Sequence, residues 1–276
     1  MRTRRLLLCA VLLAFLWSGS GLVAQPVQAV QAPEENQEQQ SLPAKRLAIV
    51  IDDFGNDMQG TKEMMELPVP LTVAVMPFLP TSRRDAEWAH RVGHEVIVHL
   101  PMEPMKGKRS WLGPQAITTD LSDDEIRRRV LGAIEEVPYA VGMNNHMGSK
   151  ATADPRVMRL VLEVCKEKGL FYLDSRTTEK SVVASVSREL GVPYIENELF
   201  FDSQYTTAHV QKQMRKLKQF ITDHDRAVII GHVGPPGKIT SAAILQEAEA
   251  LSKLAKLGHV SELIKTAASQ KEANTR

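Results

Sequence analysis

The 276-residue sequence carries 34 Lys and Arg against 33 Asp and Glu, a formal net charge of +1, and two cysteines. That length is enough for one large or two small domains with a sizeable core. The near-neutral balance lacks the basic excess needed to neutralise nucleic-acid phosphates, so no nucleic-acid partner is expected.

Arg2, Arg4 and Arg5 precede an apolar run over 6–17, and small residues then lead to Leu22-Val23-Ala24. This is the order of a secretory signal peptide over 1–24, and the run is short for a bilayer span. Cleavage after Ala24 is expected, with Ala29 as a second site and an uncleaved anchor as the alternative. The chain is then secreted or periplasmic, and membrane contact comes only through the export signal. Removing 1–24 takes away three arginines and no acid, so the formal charge falls from +1 to −2. Cys9 follows Leu8 rather than a small residue, which argues against lipid modification. Cys165 would be the one mature cysteine; it has no internal partner, and its place in a helical apolar pattern suits a buried thiol. Residues 25–45 are rich in Gln, Glu and Pro and read as a flexible linker. They lead into one domain over 46–267 with a disordered tail over 268–276.

The domain opens on Leu47-Ala48-Ile49-Val50-Ile51, an apolar and mostly branched run that reads as a strand buried on both faces. It ends in Asp52-Asp53-Phe54-Gly55. Adjacent carboxylates at the mouth of a buried strand raise each other's pKa and must be desolvated, so a cation or a proton in transit is expected between them. Alternatively, one of them caps the turn. Further strands are expected over 71–76, 95–99, 139–142, 170–173, 192–195 and 227–230. Helices are expected over 82–92, 122–137, 155–169, 181–190, 207–223 and 241–257. Ser122-Asp123-Asp124-Glu125 supplies a capping box, and Pro155 and Gly169 mark a helix entry and exit. Residues 101–121 form a long irregular excursion. Strand then helix, repeated, predicts an α/β fold with about seven parallel strands covered by helices. The first turn has no glycine-rich phosphate loop, which favours a (β/α) barrel over an open nucleotide-binding sheet.

In such barrels chemistry gathers at the carboxyl ends of the strands. Here those ends carry Asp52 and Asp53, His99 and Glu103, Asn144-Asn145-His146, Asp174 and Arg176, and His232. A carboxylate and two imidazoles suit a catalytic zinc or similar divalent ion, and Asp53, His99 and His146 are the candidate ligands. Asp52 could then serve as base and His232 as proton donor to a leaving group. Arg176 could orient Asp52, and Asp174 could orient a histidine, unless the two simply pair with each other. Each histidine alone could be a packing residue; their convergence with an acid pair is the argument. His90, His94, His209, His224 and His259 fall on helices or outer turns and receive no chemistry. Trp111 could stack on a sugar or anchor its loop.

These residues stand in ordered motifs: Ile51-Asp52-Asp53-Phe54-Gly55, Ala74-Val75-Met76-Pro77-Phe78-Leu79-Pro80, His99-Leu100-Pro101-Met102-Glu103-Pro104, Gly142-Met143-Asn144-Asn145-His146-Met147-Gly148-Ser149, Leu173-Asp174-Ser175-Arg176-Thr177 and Ile230-Gly231-His232. Together they resemble the divergent polysaccharide deacetylase family over nearly the whole expected domain. The resemblance implies a distorted (β/α) barrel, a zinc-type site, and kinship with esterases that remove N- or O-acetyl groups from peptidoglycan or other polysaccharides. It implies Asp52 as base, with Asp53 and His99 as ligands. Better-known deacetylases place a second histidine four residues after the first. That position is Glu103 here, so either His146 replaces the ligand or the site is altered. The stretch Gly231-His232-Val233-Gly234-Pro235-Pro236-Gly237 is also less polar than the family pattern. The expected function is therefore a secreted, metal-dependent hydrolase of acetylated glycan. The alternatives are a non-catalytic carbohydrate-binding or envelope scaffold protein and, less well matched, a phosphoester hydrolase.

Overall fold

The computed structural model describes residues 45–264. The expected signal peptide, the linker up to residue 44, the last three residues of the expected domain and the tail over 268–276 lie outside the described residues.

Nine strands and seven α-helices lie along these residues, alternating except where β6 runs directly into β7. The strands are β1 (Arg46–Phe54), β2 (Thr72–Val75), β3 (Glu95–Met102), β4 (Ala140–Met147), β5 (Phe171–Asp174), β6 (Tyr194–Glu196), β7 (Leu199–Phe200), β8 (Arg226–His232) and β9 (Lys256–Gly258). The helices are α1 (Thr61–Met65), α2 (Ser82–Arg91), α3 (Asp123–Glu136), α4 (Pro155–Lys168), α5 (Val183–Leu190), α6 (Thr207–Asp223) and α7 (Gly237–Leu254). The order across the sheet is β6-β5-β4-β3-β2-β1-β8-β7, with β9 added to the start of β1, and every pairing is parallel.

The two edge strands, β6 and β7, are joined by only Asn197 and Glu198, so the sheet must curl until its ends nearly meet. Those two residues stitch the seam: Asn197 N–H donates to Asp174 O at 2.9 Å on one side and Glu198 N–H to Val228 O at 3.0 Å on the other. The result is the expected parallel curled barrel, closed by a bridging segment rather than a strand ladder. It has nine strands rather than about seven because β7 and β9 are two- and three-residue pieces, too short to leave a hydrophobic pattern.

Alternation along each strand divides the apolar residues into two cores. Leu47, Ile49 and Ile51 of β1 point outward into the layer shared with the helices. Ala48 and Val50 point inward, with Ile97, Leu173, Val228 and Ile230, and Val260 and Leu263 also pack into this inner core. Each fully buried Ile, Val or Leu contributes roughly 1.5–3 kcal/mol, so the in/out register is firmly held. Helix ends follow local signals. Ser122 Oγ accepts from Glu125 N at 3.3 Å to start α3, and Asp154 Oδ1 accepts from Arg156 N and Val157 N to start α4. Gly169, at φ 69°, ends α4 in the left-handed conformation that glycine adopts without strain.

Candidate metal centre

The inward register that buries Val50, Ile97 and Ile230 carries on to the residue two places later. Asp52, His99 and His232 therefore face the barrel axis at its carboxyl-end mouth. Asn144, directly paired with His99, and His146 two residues on join them from β4. Asp53 should point the other way. It does not, because β1 carries a bulge between Ile51 and Phe54, and Asp53 takes φ 71°. The extra residue returns Phe54 to the outer core and turns Asp53 into the mouth beside Asp52. A left-handed non-glycine residue costs roughly 1–2 kcal/mol, and Asp is among the few residues that tolerate it.

Three ligand-type atoms converge there. Asp53 Oδ1 lies 3.2 Å from His99 Nε2 and 3.0 Å from His146 Nδ1, and the two imidazole nitrogens are 3.2 Å apart. The far nitrogen of each ring is already committed. His99 Nδ1 lies 2.7 Å from Asn144 Oδ1, and His146 Nε2 lies 3.1 Å from the Trp111 carbonyl. The Asn144 amide has one favourable orientation, because its Nδ2 donates to Asp52 Oδ1 at 2.9 Å; turned over, its oxygen would face a carboxylate. Both far nitrogens must then carry hydrogens. His99 Nε2 and His146 Nδ1 are left as lone pairs aimed at each other and at Asp53.

Asp53 Oδ1 is buried and makes no hydrogen bond of acceptable geometry among the described residues. Three acceptors packed this closely repel unless a cation lies between them. The three residues group within 4.8 Å of one another as a possible metal site, and the set fits zinc or a similar divalent ion.

The cluster draws positive charge, whether proton or metal ion. Burial would raise the Asp53 carboxyl, but His146 and His99 hold it well below the usual carboxylate range, and burial would lower His99, but Asp52 and Asp53 raise it. Burial lifts Asp52 above its ordinary value against the pull of His99 and His232. Burial would lower His232, yet Asp202, 2.7 Å from its Nδ1, raises it to about 9. Asp202 is itself held by the His232 backbone N–H at 2.9 Å and by Thr240 Oγ1 at 2.8 Å.

The sequence matches the family described as divergent polysaccharide deacetylase over residues 49–264. The chain belongs to this family. An uncharacterized protein of Haemophilus influenzae is 35% identical over 206 residues, covering 75% of this chain and 71% of that protein. Uncharacterized protein YibQ of Escherichia coli is 35% identical over 192 residues, covering 70% of this chain, which spans only 60% of that relative's length. In fold, the chain is similar to the crystal structure of uncharacterized protein ATU2773 from Agrobacterium tumefaciens C58, with TM-score 0.74, 20% identity, and coverage of 79% of this chain and 89% of that one.

Within this deacetylase-family barrel, some expected roles fall elsewhere. Glu103, four residues after His99, turns away and binds Lys150 Nζ, Thr119 N and Thr119 Oγ1, each at 2.8 Å. His146 is the second imidazole of the cluster. Arg176 does not orient Asp52; its guanidinium pairs with Glu179 at 3.0 Å and Glu196 at 3.5 Å. Asp174 does not orient a histidine. It sits on the outward register of β5, where it accepts from Ser181 Oγ at 2.6 Å and Arg176 N at 2.8 Å. Asn144 and Asp202 fill the two orienting roles instead; from the sequence, Asn144 is placed at a strand end without a role and Asp202 is missed altogether. Trp111 is exposed, and its loop is tied to the centre through its own carbonyl. Cys165 is buried as expected, and burial pushes its thiol up to about 12.

Proposed function

We propose that this chain is an exported, metal-dependent hydrolase that removes acetyl groups from an envelope or extracellular polysaccharide. The observation that carries the reading is the set of three unshared lone-pair positions on Asp53, His99 and His146, each held there by a partner on its far side or by the β1 bulge. These residues would hold the ion. Once bound, it acts as a Lewis acid toward an acyl carbonyl and toward water.

The rest is done by side chains. Asp52 is fixed by Asn144, and its raised pKa makes it a stronger base than an ordinary carboxylate; it takes the proton of the attacking water. His232, the direct register partner of Asp52 on β8, is kept protonated near neutral pH by Asp202 and gives its proton to the departing sugar nitrogen or oxygen. Export rests on the basic and apolar start of the sequence and places the enzyme with its glycan, in the periplasm or outside the cell.

The test is acetate release from acetylated glycans by the metal-loaded protein and by Asp52→Asn. The expected result is release by the native protein and a fall of at least about a hundredfold in the variant, with metal content unchanged. Metal binding without release from any acetylated glycan would leave a carbohydrate-binding protein that kept the deacetylase barrel.

A further inference from the structure

A second polar cleft of ≈320 Å³ opens at the barrel seam and is lined by Arg176, Glu179, Glu198, Phe200, Ser203 and Gln213, among others. It adjoins the metal centre through Phe200, whose ring stacks on that of His232 with centroids 5.9 Å apart. The lining is short of positive charge, because the Arg176 guanidinium is committed to Glu179 and Glu196. The Glu198 carboxylate receives the Val228 backbone N–H at 2.6 Å, and no basic side chain forms an ion pair with it among the described residues. Although Glu198 is exposed along the cleft, its carboxyl end turns toward the β8 backbone. The loss of water there lifts it to about 7, against the Val228 N–H bond and the weaker pull of Arg226. That marks an acid short of a compensating cation.

Gln213 supplies a separate signal. It is 8% exposed, and its Oε1 is buried without any donor among the described residues, while its Nε2 is used by His209 at 3.1 Å. A buried carbonyl oxygen left unpaired is costly. The cleft therefore asks for a ligand that brings N–H or O–H donors and positive charge, with a ring to lie near Phe200.

We propose that this seam cleft binds the ammonium group of an amino sugar. Glu198 and Gln213 Oε1 are the acceptors. For its place in the reaction the inference rests on the deacetylase reading: the bound unit neighbours the one presented to the metal, so the preferred substrate is a glycan already partly stripped of N-acetyl groups. Binding itself needs no turnover.

The experiment is calorimetric titration of the full chain with a disaccharide of two glucosamine units and with its fully N-acetylated counterpart. A 15N spectrum of the Gln213 side-chain amide is followed in parallel. The free-amine form should bind at least about tenfold more tightly, move the Gln213 signal, and lose about tenfold in affinity in Glu198→Gln and in Gln213→Met. Equal affinity for the two sugars, or a Gln213 signal that stays still in the native protein, overturns the proposal even where a variant fails to fold. Amine binding without acetate release would defeat only the deacetylase reading, and acetate release without amine binding would defeat only this one.

Discussion

Asn144 donates from Nδ2 to Asp52 at 2.9 Å, and so ties the inner carboxylate of the acid pair to a residue that also fixes His99. One fully buried amide thus sets both the direction of the proposed base and the tautomer of a proposed ligand. Asn144→Ala leaves the buried Asp52 carboxylate with only its 3.6 Å contact to His99 and leaves the buried His99 Nδ1–H unpaired. We expect a loss of roughly 3 kcal/mol in unfolding free energy by urea titration. Acetate release should fall by about a hundredfold or more, as expected when a reacting group is misplaced.

His232 and Asp202 predict a defined pH dependence. The folded-state pKa of His232 is raised, from 6.5 to about 9. Its stabilising contribution is therefore complete below the unfolded value of 6.5 and is lost as pH rises through about 9. Unfolding midpoints of the native protein should drop between pH 6.5 and 9 relative to Asp202→Asn, and the alkaline limb of activity should move to lower pH in that variant. Coincident stability profiles for the two proteins would contradict the pairing.

Asp174 separates structure from chemistry. Its partners are Ser181 and the Arg176 backbone, on the outer side of the sheet. Asp174→Ala should lower the melting temperature, by roughly 1–3 kcal/mol of lost hydrogen bonding, while bound metal per folded chain stays at the native level. Loss of metal at unchanged stability would restore the orienting role first expected of it.

Gly237 opens α7 against the backbone that follows β1. A Cβ built on it would lie 2.3 Å from Gln59 O, so no side chain fits without moving main chain. Gly237→Ala should destabilise the fold by about 1–3 kcal/mol, as overpacked sites do. It should also disturb the loop after His232, which Gly234 N–H anchors to Gln59 O at 2.8 Å. Chemical denaturation and the His232 ring signals would report the two effects.

Much of the fold and the site is legible in the sequence because burial enforces alternation. Once Val50, Ile97 and Ile230 are inward, Asp52, His99 and His232 follow. The same rule, applied to the inward Leu173, turns its neighbour Asp174 outward and away from the histidines. Other features leave no such trace. The bulge that aims Asp53 depends on the register of β1 against β2, and the Asn144–His99 pairing on that of β3 against β4. Asp202 follows the two-residue β7, so no strand pattern announces it. Long-range partners of this kind are set by tertiary register, which local propensity does not encode.

The most direct measurement is bound divalent metal per chain, by elemental analysis after dialysis, for the native protein and for an Asp53→Ala, His146→Ala double variant shown to be folded. The predicted result is about one ion per native chain, with melting temperature raised by added metal, and none in the variant. A folded double variant that keeps its ion, or a native chain that takes up no divalent metal at any concentration tested, would contradict a metal centre built from Asp53, His99 and His146.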